Sequence, residues 1–259
     1  MNRLIIVEGL PSSGKSTAAR YIAEQLGMTF VDEGSGAHPA DYEFHAYLTE
    51  SDLAEFAGNE RQEVLSAAER KSGGYIVSLG GFTGELFDKL LQHKIYDFLP
   101  WETERPVMLD KWREFVQNAD AESCVFNCVF LQNPMCETMM RFGFDEKASA
   151  EYISEIADII KPLSPVIIYL RNSDIRTSMK NAVTERGEEW LNSVVEYHCN
   201  GEYGRSLGLS GFDGYIAALE ERQRREVNIL SGLDVPGIIV DDAQNDWNKA
   251  YSDIISKLK

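Results

Sequence analysis

The chain has 259 residues, enough for one large α/β domain or two small ones with an ample core. Its formal net charge is −17, from 42 acidic against 25 basic residues, and this repels phosphate backbones. A nucleic-acid partner would need a concentrated basic patch, and only the short cluster Arg222, Arg224 and Arg225 is present; no window stays apolar for the ~18 residues of a membrane span.

The apolar run Leu4-Ile5-Ile6-Val7 predicts a buried strand, and Ala18-Ala19-Arg20-Tyr21-Ile22-Ala23 has a helical pattern. Between them lies GLPSSGKST, which meets G-x-x-x-x-G-K-[ST] at Gly9, Gly14, Lys15 and Ser16. A strand that turns tightly into a helix aims several backbone N–H groups, and the positive end of the helix, at one point. Glycine lets the main chain close around a phosphate where a Cβ would collide. The segment predicts a nucleoside triphosphate site made by Gly9, Pro11, Ser12, Ser13, Gly14, Lys15, Ser16 and Thr17. Lys15 is expected to reach the β- and γ-phosphates and the Ser16 hydroxyl to ligate Mg²⁺, so ATP and Mg²⁺ are the expected cofactors. The residues MNRLIIVEGL run straight into this loop and leave no room for a signal peptide, from which a cytoplasmic protein is expected.

The first helix runs to about residue 26, with Gly27 as its stop. A second strand at 28–31 ends in Asp32-Glu33-Gly34. The turn-rich GSGAHPADYEFHAYL leads to a helix capped by Ser51 or Asp52, whose charged run 59–71 stops at Gly73-Gly74. Residues 75–79 are strand-like, and 82–119 read as helix broken at Pro100 and Pro106. Residues from about 40 to 120 therefore read as a mainly helical insertion lying over the site, not as an independent domain. A buried strand is expected over 124–131, where even spacing would put Cys124 and Cys128 on one face. With Cys136 and Cys199 these make four cysteines without a C-x-x-C pair, a pattern that fits buried thiols in a reducing compartment.

Gln132-Asn133-Pro134 turns into a further helix, 148–160 is helical, and 165–170 is the clearest later strand. Asp174 is the expected cap of a helix reaching Arg186-Gly187. A polar helix from 188 to about 197 and the glycine-rich GEYGRSLGLSGFDG follow. A long amphipathic helix at 215–230, a strand at 238–240 and a closing helix at 247–258 complete the pattern. Strands alternating with helices imply one domain over 1–259, built on a parallel sheet covered on both faces.

Four segments resemble the P-loop nucleoside and nucleotide kinase superfamily, closest in plan to thymidylate kinase. They are VEGLPSSGKST with Glu8 before the phosphate loop, the acidic end of strand two (VDEG), IIYLRNSDIRTSMKNAVTER, and the last strand with its loop (VDDAQ). Together they cover the sheet and its flanking helices, more than half the chain. The resemblance implies a P-loop NTPase fold: a five-stranded parallel sheet of order 2-3-1-4-5 with helices on both faces. It also implies transfer of the ATP γ-phosphoryl group to a hydroxyl or phosphate of a small-molecule acceptor. A nucleoside or nucleotide competes for that place with a metabolite or antibiotic-like molecule. A mobile lid at about 171–190 is implied as well. By position Lys180 and Arg186 look like cations that close over the triphosphate, and Arg176 is a further candidate; a solvated helix face is the competing reading of these residues.

The likeness departs at the third core strand. Thymidylate kinases place an Asp-Arg pair there, whereas VFNCVFLQNP offers Asn127, Gln132 and Asn133 and no acid. Asp32 and Glu33, at the carboxyl end of strand two, face the crevice where open α/β sheets bind ligands. Either is a candidate to take the acceptor's proton or to hold Mg²⁺, and Glu8 is a third. Glu8, His38, Tyr42, Gln132 and Asn133 are the candidate acceptor-recognition residues. No nucleobase-specific pattern and no Asn-Lys-x-Asp guanine signature is present. A nucleotide-dependent ATPase switch or regulatory NTP-binding protein, without a small-molecule acceptor, is the alternative class. The oligomeric state is left open.

Overall fold

The computed structural model describes residues 3–34, 36–119 and 122–258. The chain separates into two compact units, one built from Met1–Glu33 and Ala119–Lys259, the other from Gly34–Asn118.

Numbered within its own sheet, the larger unit has strands β1 (Leu4–Gly9), β2 (Thr29–Val31), β3 (Cys124–Asn127), β4 (Pro165–Arg171) and β5 (Gly237–Asp241). They lie in the order 2-3-1-4-5 that the resemblance implies, and every neighbouring pair is parallel. Register brings the carboxyl ends together: Val7 pairs with Asn127, Gly9 with Leu170 and Arg171 with Asp241. All six residues of β1 are buried, as the central strand of a sheet covered on both faces requires.

The helix Lys15–Leu26 buries Ala18, Ala19, Ile22 and Ala23, one stripe at helical spacing. That stripe packs on Ile5 and Val7 of β1, Val125 of β3, and Ile168 and Leu170 of β4, beside Ala250 and Ile254 of the helix Trp247–Leu258. Full burial of a side chain such as Ile22 is worth roughly 1.5–3 kcal/mol, more than any single helix propensity, so packing decides this element. A second cluster holds Leu10 and Ile175 with Met179 of the helix Ile175–Arg186 and Tyr215, Ile216 and Leu219 of the helix Gly211–Gly232. Asp174 caps the former, as expected, by accepting the Thr177 N–H. No helix among the described residues is long and apolar enough to cross a membrane.

β3 is shorter than the apolar run CVFNCVFL predicts. It stops at Asn127, and Cys128 and Val129 take left-handed φ values of 55° and 79°. Cys124 and Cys128 therefore share no strand face. A β-branched residue at positive φ is strained. The opposing gain comes from Glu8, whose buried carboxylate accepts the N–H groups of Phe130 and Leu131 at 2.8 Å each and of Gln132 at 3.3 Å. Three consecutive amides turned onto one carboxylate cannot also serve a ladder.

In the smaller unit the charged run 59–71 divides. Gly58–Ala67 is helix, but Ala68–Lys71 is a strand paired antiparallel with Gly74–Ser78, which also pairs with His45–Leu48. Ser72 and Gly73, at φ 51° and 77°, make a two-residue turn whose twist suits a hairpin, and this overrides the helical character of the preceding run. The stretch 82–119 divides as well, into Gly84–Leu91, the irregular Ile95–Phe98 and Trp101–Asn118, with Pro106 accommodated inside the last. Thr49, not Ser51 or Asp52, caps the helix Glu50–Leu53; its hydroxyl accepts the Asp52 N–H while the Asp52 carboxylate accepts the Thr49 N–H. This unit thus carries a three-stranded antiparallel sheet beside its helices.

Candidate active site

The phosphate loop is shaped by two glycines. Gly9 adopts φ 144° and Gly14 φ 89°. A Cβ at Gly9 would lie 2.6 Å from the Leu170 carbonyl and 2.8 Å from Ser13 Oγ, and one at Gly14 would lie 2.4 Å from the Trp247 ring. Space and φ both demand glycine. The Leu10 carbonyl accepts the Ser13 N–H at 3.2 Å and Lys15 Nζ at 3.1 Å. Buried Lys15 so uses one of its three ammonium donors across the loop and keeps two for a ligand. No side chain caps the start of the helix Lys15–Leu26, so its first N–H groups stay directed at the loop. Ser13 Oγ is buried and has no hydrogen-bond partner among the described residues. A phosphate oxygen held by these amides would supply the missing partner. Gln244, in the turn after β5, donates to the Ser12 carbonyl; Pro11 and Ser12 complete the loop, and Thr17 is exposed on the first helical turn.

The ends of β2 and β3 add the polar groups. Asn127 Nδ2 donates to Ser16 Oγ at 3.0 Å and to Asp32 Oδ1 at 2.8 Å. The other Asp32 oxygen accepts from Arg20 at 2.7 Å, and the Arg20 guanidinium lies over the Phe30 ring. Ser16 and Asp32 therefore meet through Asn127. Glu33 is held apart from them: its Oε2 accepts the Cys128 thiol at 2.7 Å and the Gln132 amide at 2.8 Å. Burial, then the nearby Glu8 and Glu33 charges, keep the Cys128 thiol protonated and able to donate. The two acids of strand two are thus sorted, Asp32 toward the phosphate loop and Glu33 toward the loop after β3.

Glu8 is fully buried, and its oxygens are occupied by the amides of that loop. Desolvation pushes its pKa up to about 7 against the pull of the Leu131 amide. It anchors the loop after β3 from within. Asn133 is half-buried at the start of the short helix Gln132–Met135.

Three cations of the segment after β4, Arg171, Arg176 and Arg186, are engaged within the protein. Arg171 grips the Asp241 carboxylate with two nitrogens at 2.5 and 2.9 Å, and Arg176 pairs with Asp213 at 2.7 Å. The Arg186 guanidinium lies 5.0 Å from the Trp190 ring centre, and Lys180 is exposed on the helix Ile175–Arg186. His38 and Tyr42 are buried in the smaller unit. His38 Nδ1 accepts the Ala40 N–H, and burial lowers its pKa to about 4. Lys111 Nζ sits 4.6 Å from the Tyr42 ring centre.

The contacts of Arg20, Cys128, Gln244 and Trp247 escape the sequence, where Cys128 reads only as a buried thiol and Gln244 only as the end of VDDAQ, because each acts across the fold. Asn127 did carry a signal: it is a polar residue inside an apolar run.

No family model matches the sequence. The chain is similar to the cytidylate kinase of Streptococcus sanguinis (strain SK36), 27% identical over 108 residues, a match covering 41% of this chain and 47% of that protein. It thus spans about half the length of that relative. A match to the cytidylate kinase of Streptococcus thermophilus (strain CNRZ 1066) covers 86% of this chain and 97% of that protein at 22% identity. Among solved structures, deoxyadenosine kinase from M. mycoides with bound dCTP covers 98% of each chain at 17% identity, with a TM-score of 0.46. Given the phosphate loop, the sheet order and the similarity to cytidylate kinases, the fold is that of the P-loop nucleoside and nucleotide kinases.

Proposed function

We propose that the protein is a phosphotransferase that moves the γ-phosphoryl group of ATP to a small-molecule acceptor of the nucleoside or nucleotide class. The observation that carries this reading is the meeting of Ser16, Asn127 and Asp32 beside a phosphate loop whose Lys15 and Ser13 hold unused donors. A binding protein needs the loop; phosphoryl transfer also needs acids at the strand ends beside it.

In this reading the loop amides, Ser13 and Lys15 hold the β- and γ-phosphates. Ser16 and Asp32 are hard oxygen donors that fit Mg²⁺, and they would hold it with Asn127 behind them. Mg²⁺, when bound, neutralises charge on the phosphate oxygens. Glu33, restrained by Cys128 and Gln132, takes the proton of an acceptor hydroxyl as its oxygen attacks the γ-phosphorus. The bond between that phosphorus and the β–γ bridging oxygen breaks, and ADP leaves. An acceptor that is already a phosphate reacts through its anionic oxygen and needs no base. Gln132, bonded to Glu33, and its chain neighbour Asn133 would recognise the acceptor, and the segment 171–190 would act as the lid, with Arg186 and Lys180 closing over the triphosphate.

The test is ADP formation from ATP and Mg²⁺ with and without a panel of nucleosides and nucleotides. The similarity to cytidylate kinases makes cytidylate the first to try. Turnover stimulated by an acceptor is the expected result. Hydrolysis indifferent to every acceptor would instead support an ATPase switch.

A further inference from the structure

Asn127 stands at the carboxyl end of β3, paired with Val7 of β1, only 1% exposed. Its neighbours fix which way its amide points. The Asp32 carboxylate can only accept, so the group facing it must be the NH₂, and this same NH₂ reaches Ser16 Oγ. The amide oxygen is left buried with no hydrogen-bond partner among the described residues. An orphaned buried acceptor is unfavourable. The arrangement therefore gives up one bond in order to place two donors between the loop serine and the strand-two acid.

We propose that Asn127 is a positioning residue for the divalent cation: it clamps Asp32 to Ser16 before the metal arrives and adds no charge of its own. The inference rests on the kinase reading above. An aspartate at this position would offer the cation a second carboxylate, yet without metal it would face Asp32 across the distance now bridged by a hydrogen bond. Like charges so close repel, and at a partly solvated site that repulsion is worth several-fold to tenfold in an equilibrium. Asparagine removes the repulsion and ties the acid down, leaving Asp32 as the one carboxylate of the cation site. Arg20 draws on the same carboxylate, so the cation would be held largely by the nucleotide it accompanies.

The experiment measures Mn²⁺ binding by the free-ion EPR signal, with a non-hydrolysable ATP analogue present, for wild type, Asn127→Asp and Asn127→Ala. Binding of the analogue alone is measured in EDTA. Removing the clamp in Asn127→Ala is expected to weaken Mn²⁺ binding several-fold. Adding a charge in Asn127→Asp is expected to tighten it about tenfold. Analogue binding in EDTA should be little changed in Asn127→Ala and no tighter than wild type in Asn127→Asp, so that any tightening of Mn²⁺ binding is read as an effect on the cation. A melting curve supplies the second readout: Asn127→Asp should melt below wild type without metal and gain more than wild type when Mg²⁺ is added. Mn²⁺ affinity at the wild-type value in both variants, or weakened in both, would overturn the proposal. Failure of wild type to bind the analogue at all would sink the kinase reading instead, so the two failures are distinct.

Discussion

Glu8 accepts the Leu131 N–H at 2.8 Å across 123 positions of sequence, tying the residue before the phosphate loop to the loop that follows β3. With the Phe130 and Gln132 amides this holds Cys128 and Val129 in left-handed backbone and leaves Gln132 beside Glu33.

The carboxyl of Glu8 has its pKa raised from 4.5 to about 7, mainly by burial. A raised folded-state value means the native protein keeps a proton that the unfolded chain releases. This contribution to stability is fully present below pH 4.5, shrinks as pH rises, and is gone above about 7. Its size is on the order of 3 kcal/mol at about 1.4 kcal/mol per unit. Glu8→Gln keeps an acceptor for the two shorter bonds and cannot titrate. Urea unfolding at about pH 5 and about pH 8 should show wild type losing stability relative to Glu8→Gln at the higher pH. Parallel behaviour of the two proteins would mean the carboxyl does not titrate in this window. Glu8→Ala strands three amides and is expected to cost several kcal/mol at any pH, at ~1–3 kcal/mol for each buried group left unsatisfied.

Lys15→Ala removes the cation that spans the phosphate loop and only one bond, to the Leu10 carbonyl. Far-ultraviolet circular dichroism should therefore be unchanged. Phosphoryl transfer should fall by ~10²–10³, the usual effect of losing one preorganised donor. Activity within a few-fold of wild type would exclude this loop as the reaction site.

Asp32 and Glu33 should respond differently to loss of charge. Glu33→Gln is expected to lower kcat for a hydroxyl acceptor by ~10²–10⁴, the range for a general base, with little change in ATP affinity. Asp32→Asn should raise the Mg²⁺ concentration needed for half-maximal rate. If the two variants exchange these phenotypes, the assignment drawn from their hydrogen-bond partners is reversed.

The segment 171–190 should gain amide-exchange protection when a non-hydrolysable ATP analogue and Mg²⁺ are added, while β1 and β4 stay protected throughout. Arg186→Ala should lower the rate more than it weakens ATP binding. Because the Arg186 guanidinium rests over the Trp190 ring, closure should also alter tryptophan fluorescence. Absence of all three effects would leave these cations as ordinary surface charges.

The phosphate loop and the sheet order were legible because their signals are local or carried by family likeness. Strand, loop and helix adjoin within the first 26 residues, and β4 is bounded by turn formers. The end of β3 was not legible. CVFNCVFL reads as one apolar strand, and what breaks it is a carboxylate more than a hundred positions earlier. Asp32 and Glu33 were placed at the strand end by pattern alone, but their separate partners depend on Asn127, Cys128 and Gln132 arriving from β3 and its loop. The strand Ala68–Lys71 was hidden for another reason. Three of its four residues are charged and continue a helical run, so its mark was the Ser72-Gly73 turn.

The phosphate loop is also held from far along the chain. Gln244 bonds the Ser12 carbonyl across 232 positions, and the Trp247 ring fills the space beside Gly14. During synthesis the loop leaves the ribosome long before these two residues exist. A growing chain therefore carries the complete motif without the contacts that shape it. Nucleotide should not help the early portion fold, and the nascent protein should not hydrolyse ATP. Competence would arrive late and abruptly, once the turn after β5 and its following helix have docked.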